Sequence, residues 1–397
     1  MPVSWRSEAC DQGTDPESGA YIVRLTQAAH HSTNIYCEQP YSNPAGTRIA
    51  IIRSADADPR FSPHDLYVAD LNTLRIQLAA RDCRNYFIGT SAWSGMIYYL
   101  SASNDLMRLD ISTLEKQIVW NNWPLPQDFM LQSVSPDHRY VVGALAQASY
   151  ETAIIRADLK EKTVKTILER PELFAAHQQY APNPGEDGKF QIMGMMHRGK
   201  KLNHLWHMMD CPAEHPGTCY YLVDNDGGNF RLFPSGPPVV PSNNGHSAWV
   251  GQTGRIAFSV SWNADTWQLD PRCPQGNLVT AAPGDDKPRV FRAPEHRFNH
   301  VSVSRCGRYF VCDSYPTPVP YQSLAPQKIP LVVGNFETGK YRNIVSDPRA
   351  SGGGPACGHP HAYFTADNKH VIYTADPFWI GQVFAARVPD GFLKSLD

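Results

Sequence analysis

Two histidines stand two residues apart in the segment Gly358-His359-Pro360-His361-Ala362-Tyr363-Phe364, just ahead of the polar turn Thr365-Ala366-Asp367-Asn368. In an extended chain, side chains at i and i+2 share one face and lie about 7 Å apart along the strand. His359 and His361 are therefore expected to aim at one point and to reach a single metal ion. Pro360 has no backbone N–H, which places this strand at a sheet edge.

The other histidines of the 15 in the chain fall in a pattern. His177, His246, His300 and His361 each lie four to six residues before a polar turn, and His31 stands somewhat further ahead of its own. One imidazole so placed is ordinarily a hydrogen-bonded structural residue. Five at equivalent positions point to a site, because imidazole moves protons near neutral pH and binds borderline divalent metals. A second group, His197, His204, His207 and His215, lies on the long insertion 196–217. His197 ends a predicted strand and is expected to enter the site, and the other three to lie on the loop surface. His64, His138 and His370 are expected in solvent-exposed turns.

A repeat must position these residues. Short β runs at 48–52, 96–100, 140–144, 190–195, 255–260, 309–313 and 370–374 each follow a turn rich in Gly, Pro, Asn, Asp or Ser. Outer pairs such as 66–71 with 75–79, or 153–159 with 164–169, complete the unit. Seven units at roughly 40–60-residue spacing predict an all-β fold, a seven-bladed β-propeller, in preference to a pair of β-sandwiches. Helical periodicity is nearly absent, and its best stretch, 170–176, is too short for more than one or two turns. The strand 21–26 has no partner in its own unit. It is expected to close the ring by joining the last blade, so that residues 1–397 form one domain with 1–18 as an irregular arm.

The chain carries a formal net charge of −2 and no basic tract, which argues against nucleic acid as partner. No apolar run is long enough for a membrane span. Residues 1–18 do not read as a secretory leader, though one removed before residue 1 would leave the same sequence. The nine cysteines are odd in number and scattered, with no CxxC, so a reduced, cytoplasmic protein is expected, and a Cys211–Cys219 bridge is disfavoured. There is no phosphate loop, GxSxG elbow or HExxH helix.

These residues resemble the oligogalacturonate lyase family. Arg24-Leu25-Thr26 followed by His31-Ser32-Thr33-Asn34-Ile35-Tyr36 is similar to the family's opening strand and His-x-Asn-Tyr segment. His246-Ser247-Ala248-Trp249 sits where the family has a catalytic histidine. Asn299-His300 and His359-Pro360-His361, the latter with Phe364 and Thr374-Ala375-Asp376, resemble the metal-binding positions. The resemblance implies a seven-bladed propeller that uses a divalent metal, typically Mn²⁺ with Ca²⁺ or Zn²⁺ as alternatives, to cleave uronate oligosaccharides by β-elimination. Two departures stand out. The family's glutamine ligand aligns with Ala356, and its catalytic arginine aligns near Thr218-Cys219, where no arginine stands. Ulvan lyases are also similar, and His177 with His197 resembles their histidine pair.

The resemblance assigns His300, His359 and His361 to the metal. His246, then His197 or His177, would take the C5 proton beside the substrate carboxylate, and Tyr180 or another tyrosine would protonate the leaving oxygen. His31, Asn34, Arg198, Trp249 and Arg255 are the expected substrate-binding residues. The expected partner is a uronate-containing oligosaccharide bound by a monomer or weak oligomer. The alternative is a non-catalytic propeller that binds a carbohydrate or protein through a histidine-lined funnel.

Overall fold

The computed structural model describes residues 4–56, 62–84, 88–174, 177–203, 207–241, 243–260, 278–316, 327–352 and 358–397. Their strands form seven antiparallel sheets of four or five strands and one small hairpin. The first strand of each sheet, in chain order, is His31–Thr33, Ile88–Thr90, Met130–Val134, Gln179–Tyr180, Ser247–Trp249, Phe298–Val303 and Tyr363–Phe364. Met130–Val134 lies against both Ile88–Thr90 and Gln179–Tyr180, and Phe298–Val303 against both Ser247–Trp249 and Tyr363–Phe364. The fold is a seven-bladed β-propeller with these strands innermost. The one helical element among the described residues is the 3-10 turn Lys394–Leu396.

Local chemistry explains the repeat. The second strand of a blade is sandwiched between neighbouring blades, so it reads as an unbroken apolar run. Tyr309–Ser314 is buried along its whole length. The turn before it is set by short side-chain caps. In blade 7, Thr365 Oγ1 donates to Asp367 Oδ1 at 2.8 Å, and Thr365 Oγ1 accepts from the His370 N–H at 3.1 Å. Blade 3 repeats the device with Ser135, Asp137 and the Tyr140 N–H. Such Ser/Thr and Asp side chains replace backbone partners in a tight turn.

Ring closure follows expectation. Tyr21–Arg24 pairs antiparallel with Gln382–Arg387 as the fourth strand of blade 7. The predicted irregular arm is instead largely strand. Cys10–Thr14 pairs beyond Tyr21–Arg24, and Arg6–Ser7 pairs with the outer edge of blade 1. Polar anchors hold it there: Arg53 Nη2 meets Glu8 Oε2 at 2.7 Å, and Asp15 Oδ2 accepts from the Ser346 N–H and hydroxyl. A polar segment can thus be ordered without apolar periodicity, which the composition did not signal.

Other expectations are corrected. The stretch 170–174 makes a turn and an isolated bridge at Leu173, with no helix; 175–176 lie outside the described residues. The insertion 196–217 carries a hairpin, Lys200–Leu202 with Met208–Asp210. His64 is buried, with Nδ1 3.2 Å from the Ser62 carbonyl. Cys211 and Cys219 are both free thiols. His204, Cys273, Ala356 and Cys357 lie outside the described residues.

Candidate active site

The first strand of each blade begins, and the second ends, at the same mouth of the ring. The imidazoles gather at this mouth. His359, Pro360 and His361 precede the short strand Tyr363–Phe364 and are not themselves strand. His361 has φ +43°, a left-handed conformation uncommon for a residue with a Cβ. The two rings nonetheless face one point, 5.4 Å apart and nearly parallel. Neighbours impose this shape. Asn34 Nδ2 donates to the His361 carbonyl at 2.7 Å, and the Thr374 hydroxyl donates to Asn34 Oδ1 at 2.8 Å. Gly358 lies so close to Asp376 that a Cβ there would come within 1.9 Å of Oδ1, so only glycine fits.

His300 arrives from blade 6. The ladder between Phe298–Val303 and Tyr309–Ser314 shifts register between Phe298 and Val301, a bulge that re-aims the intervening side chains. The His300 N–H donates to Asp313 Oδ1 and its Nδ1 lies 2.7 Å from Asp313 Oδ2. A carboxylate only accepts here, so the shared proton sits on Nδ1 and the Nε2 lone pair is available. The His300 ring is 4.3 Å from His361 and 5.2 Å from His359 between centroids. One ligand atom from each of the three histidines lies within 4.8 Å of the others. Three imidazoles this close, one oriented by a carboxylate, fit a borderline divalent metal. Tyr315 Oη stands 3.3 Å from His359 Nδ1.

His246, from blade 5, lies 4.3 Å from His300 between ring centroids. Burial, then the neighbouring imidazoles of His300, His177 and His359, hold its pKa well below the ordinary histidine value. It is therefore neutral near pH 7 and able to accept a proton. His177, from blade 4, lies 5.7 Å from His246. Its Nδ1 is 2.8 Å from Glu38 Oε1, a buried carboxylate that also accepts from the Ser247 N–H at 3.3 Å. Tyr36 closes the group, its ring 4.3 Å from His361 and 5.8 Å from His177. Beneath, Glu38 and Gln179 line a channel cavity of about 260 Å³ that runs to Trp249 and Arg305 at the opposite rim.

The remaining sequence candidates serve elsewhere. Tyr180 is buried, and its hydroxyl donates to Asn225 at 2.6 Å, beyond the third strand of its blade. That proton is engaged by Asn225, so Tyr180 is not positioned as the acid. His197 stands on the second strand of blade 4, with Nδ1 3.1 Å from the Arg198 carbonyl and its ring against Phe174. Asn34 is a clamp on the His361 backbone, buried from any substrate. His31 Nδ1 accepts from the Gly381 N–H at 3.3 Å on the seam of blades 1 and 7. Arg198 binds the Pro237 carbonyl, Arg255 pairs with Asp285 at 2.6 Å, and Trp249 packs on Phe233 at the opposite rim. Long polar side chains on a propeller are readily absorbed by blade-to-blade contacts, which sequence spacing does not register.

Glu38, Asp313 and Tyr315 were not anticipated, and Tyr36 was noted only within a motif. Asp313 carried a signal: an acid closing the otherwise apolar run of Tyr309–Ser314. Glu38 carried a weaker one, as an acid in a segment that is buried nearly throughout.

No family model matches the chain. Among curated proteins, it is 24% identical to oligogalacturonate lyase of Dickeya dadantii over 413 residues, covering 95% of each chain. It is also 24% identical to oligogalacturonide lyase of Pectobacterium atrosepticum over 410 residues, again 95% of each. Among solved structures, an oligogalacturonate lyase in complex with manganese superposes with a TM-score of 0.68 at 18% identity, over 99% of this chain and 98% of the other. The oligogalacturonate lyase of Vibrio parahaemolyticus gives 0.70 at 16% identity, over 99% and 100%. Those two structural matches carry the fold, and the sequence matches run along almost the whole length. By that likeness, the chain is similar along almost its whole length to the oligogalacturonate lyases and shares their fold.

Proposed function

We propose that the protein is a carbon–oxygen lyase that cleaves uronate-containing oligosaccharides by β-elimination and leaves an unsaturated uronate at the new end. The observation that carries this reading is the meeting of His246, His300 and the His359/His361 pair, from three blades, within 4.3–5.4 Å between ring centroids. The names of the curated relatives supply the substrate class.

The C5 proton of a uronate is weakly acidic, because the adjacent carboxylate resists further negative charge. A divalent cation, when bound, neutralises that carboxylate and the enediolate that develops from it. His300, His359 and His361 would hold the cation, and we take it to be manganese, the ion named with one solved relative. Asp313 fixes the tautomer of His300, and Asn34 fixes the backbone of His361. Neutral His246 receives the C5 proton as the C4–O bond breaks.

The test is direct. Purified protein is assayed for bound manganese, calcium and zinc, then incubated with a panel of uronate oligosaccharides beginning with trigalacturonate. Ultraviolet absorbance from the new C=C bond supports the reading. Absence of unsaturated product across the panel, with metal supplied, sinks it in favour of a binding propeller.

A further inference from the structure

Two neighbouring aromatics at the histidine mouth are left in solvent. Phe378 is 46% exposed and Trp379 45%. They stand on the loop 376–381, which joins the second strand of blade 7, His370–Ala375, to the third, Gln382–Arg387. The second strand ends at the mouth where the imidazoles gather, so this loop rims that mouth. It is tied down at both ends. Asp376 Oδ1 accepts from the Ser351 N–H at 2.6 Å and lies against Gly358, the residue before His359. The Gly381 carbonyl accepts from the Ser32 N–H at 2.7 Å. Trp379 has φ +62°, a conformation uncommon for a bulky residue, and gains no core packing in return. Adjacent exposed aromatics at the rim of a site mark a ligand surface.

We infer that Trp379, Phe378 and Arg24 form a subsite for a second uronate residue of the substrate, one linked to the residue that is cleaved. This inference rests on the lyase reading above and adds a second point of recognition to it. Charge is the deciding observation. Arg48, Arg53, Arg139 and Arg255 each pair with a carboxylate. Among the described residues no carboxylate pairs with Arg24, and its Nε is buried without a hydrogen-bond partner. The Arg24 guanidinium lies over the Phe378 ring, 5.3 Å from the centroid. That stacking holds the fork in place without using its N–H groups.

The chemistry suits a uronate. A pyranose carries C–H groups that pack on an aromatic face, and Trp379 offers such a face. A guanidinium binds a carboxylate through two parallel N–H···O bonds. Position sets which residue of the substrate is held. Tyr21–Arg24 is the fourth strand of blade 7 counted from Tyr363–Phe364. Three spacings of about 4.8 Å put the Arg24 backbone roughly 14 Å outward of that innermost strand. The platform therefore stands beyond the sugar seated on His300, His359 and His361, where its neighbour in the oligosaccharide lies. Contacts remote from the reacting bonds hold substrate and transition state alike, so they act on KM.

The experiment measures kcat/KM on di-, tri- and tetragalacturonate, using the full chain supplied with manganese. The native chain is expected to favour the longer substrates. Trp379→Ala is expected to lower the ratio of kcat/KM between tetra- and digalacturonate by about 3–10-fold. Arg24→Gln is expected to lower it by about 10-fold or more, and both losses should fall on KM. Trp379→Tyr should keep most of the ratio. Calorimetric titration of tetragalacturonate onto His246→Ala, with and without Arg24→Gln, repeats the comparison without turnover, and weaker binding to the double variant is expected. Equal losses on all three lengths, or a fall in manganese affinity, would make the loop a support for His359 and overturn the subsite. A native chain indifferent to length would also overturn it and leave the lyase reading standing. No unsaturated product from any length, with tetragalacturonate still bound more weakly by the Arg24 variant, would remove the lyase reading and leave the platform as a glycan site. Neither product nor binding would remove both.

Discussion

His300 Nδ1 lies 2.7 Å from Asp313 Oδ2, and the His300 N–H donates to the other oxygen of the same carboxylate. One buried acid thus fixes both the backbone and the ring of a central imidazole. An asparagine in its place keeps the shape but can offer an amide N–H where the ring N–H needs an acceptor. Asp313→Asn is expected to weaken manganese binding by about 10–100-fold, as measured by calorimetric titration. Unchanged affinity would separate Asp313 from the metal.

Metal binding should also register as stability. A ligand that binds only the folded state at a hundredfold excess over its Kd stabilises by about 2.7 kcal/mol. Manganese is expected to raise the melting temperature of the native chain and a chelator to reverse it. His359→Ala combined with His361→Ala should abolish the shift. A shift that persists in the double variant would place the ion elsewhere.

Asn34 predicts an effect out of proportion to its size. It is buried and bonded to the His361 carbonyl and the Thr374 hydroxyl. Asn34→Ala leaves a buried carbonyl without its donor, at a cost of about 1–3 kcal/mol. Denaturant unfolding should show this loss, and manganese affinity should fall as His361 relaxes from its left-handed conformation. Full stability and full affinity together would contradict the clamp.

His246→Ala is expected to remove lyase turnover by about 10²–10⁴ while leaving manganese binding intact, because the base is separate from the metal ligands. Coupled measurements of product absorbance and bound metal decide it. Loss of metal in this variant would reassign His246 to the ion's coordination.

Acid should open the ring at its seam. Burial raises the carboxyl of Asp15, but bonds from Ser346, Ser18 and Glu17 outweigh it and hold the pKa below the ordinary value. Glu8 behaves likewise, burial opposed by Arg53, the Gln27 N–H and Arg6. A carboxylate depressed in the folded state stabilises above its unfolded pKa, near 3.9 for Asp and about 4.3 for Glu, and that contribution is lost as pH falls through the folded value. Stability is expected to drop below about pH 4, and Asp15→Asn to flatten the drop. Hydrogen exchange at Tyr21–Arg24 would report it; an unchanged profile would exclude Asp15 as the acid-sensitive tie.

The repeat was legible because it is local. The turns set by Ser135, Asp137, Thr365 and Asp367 and the apolar second strands are chemistry between near neighbours, and their period counts the blades. The last blade and its N-terminal partner were legible by subtraction, since Tyr21–Arg24 had nowhere else to pair. The polar arm before it was not, because its order comes from Arg53 and Ser346, distant in the chain.

The sequence by itself determined that imidazoles stand at equivalent places in the repeat, and a period of blades carries equivalent places to one mouth. Only the tertiary structure decided which side chains share that mouth. Trp249, Arg255 and Tyr180 sit in the same blades as His246 and His177 yet serve the opposite rim or the seams, while Glu38 reaches across from blade 1 to blade 4. Spacing along a strand fixes which face a side chain takes, but contact across a ring of blades depends on curvature and on bulges such as that at His300, which bring together residues no local pattern links.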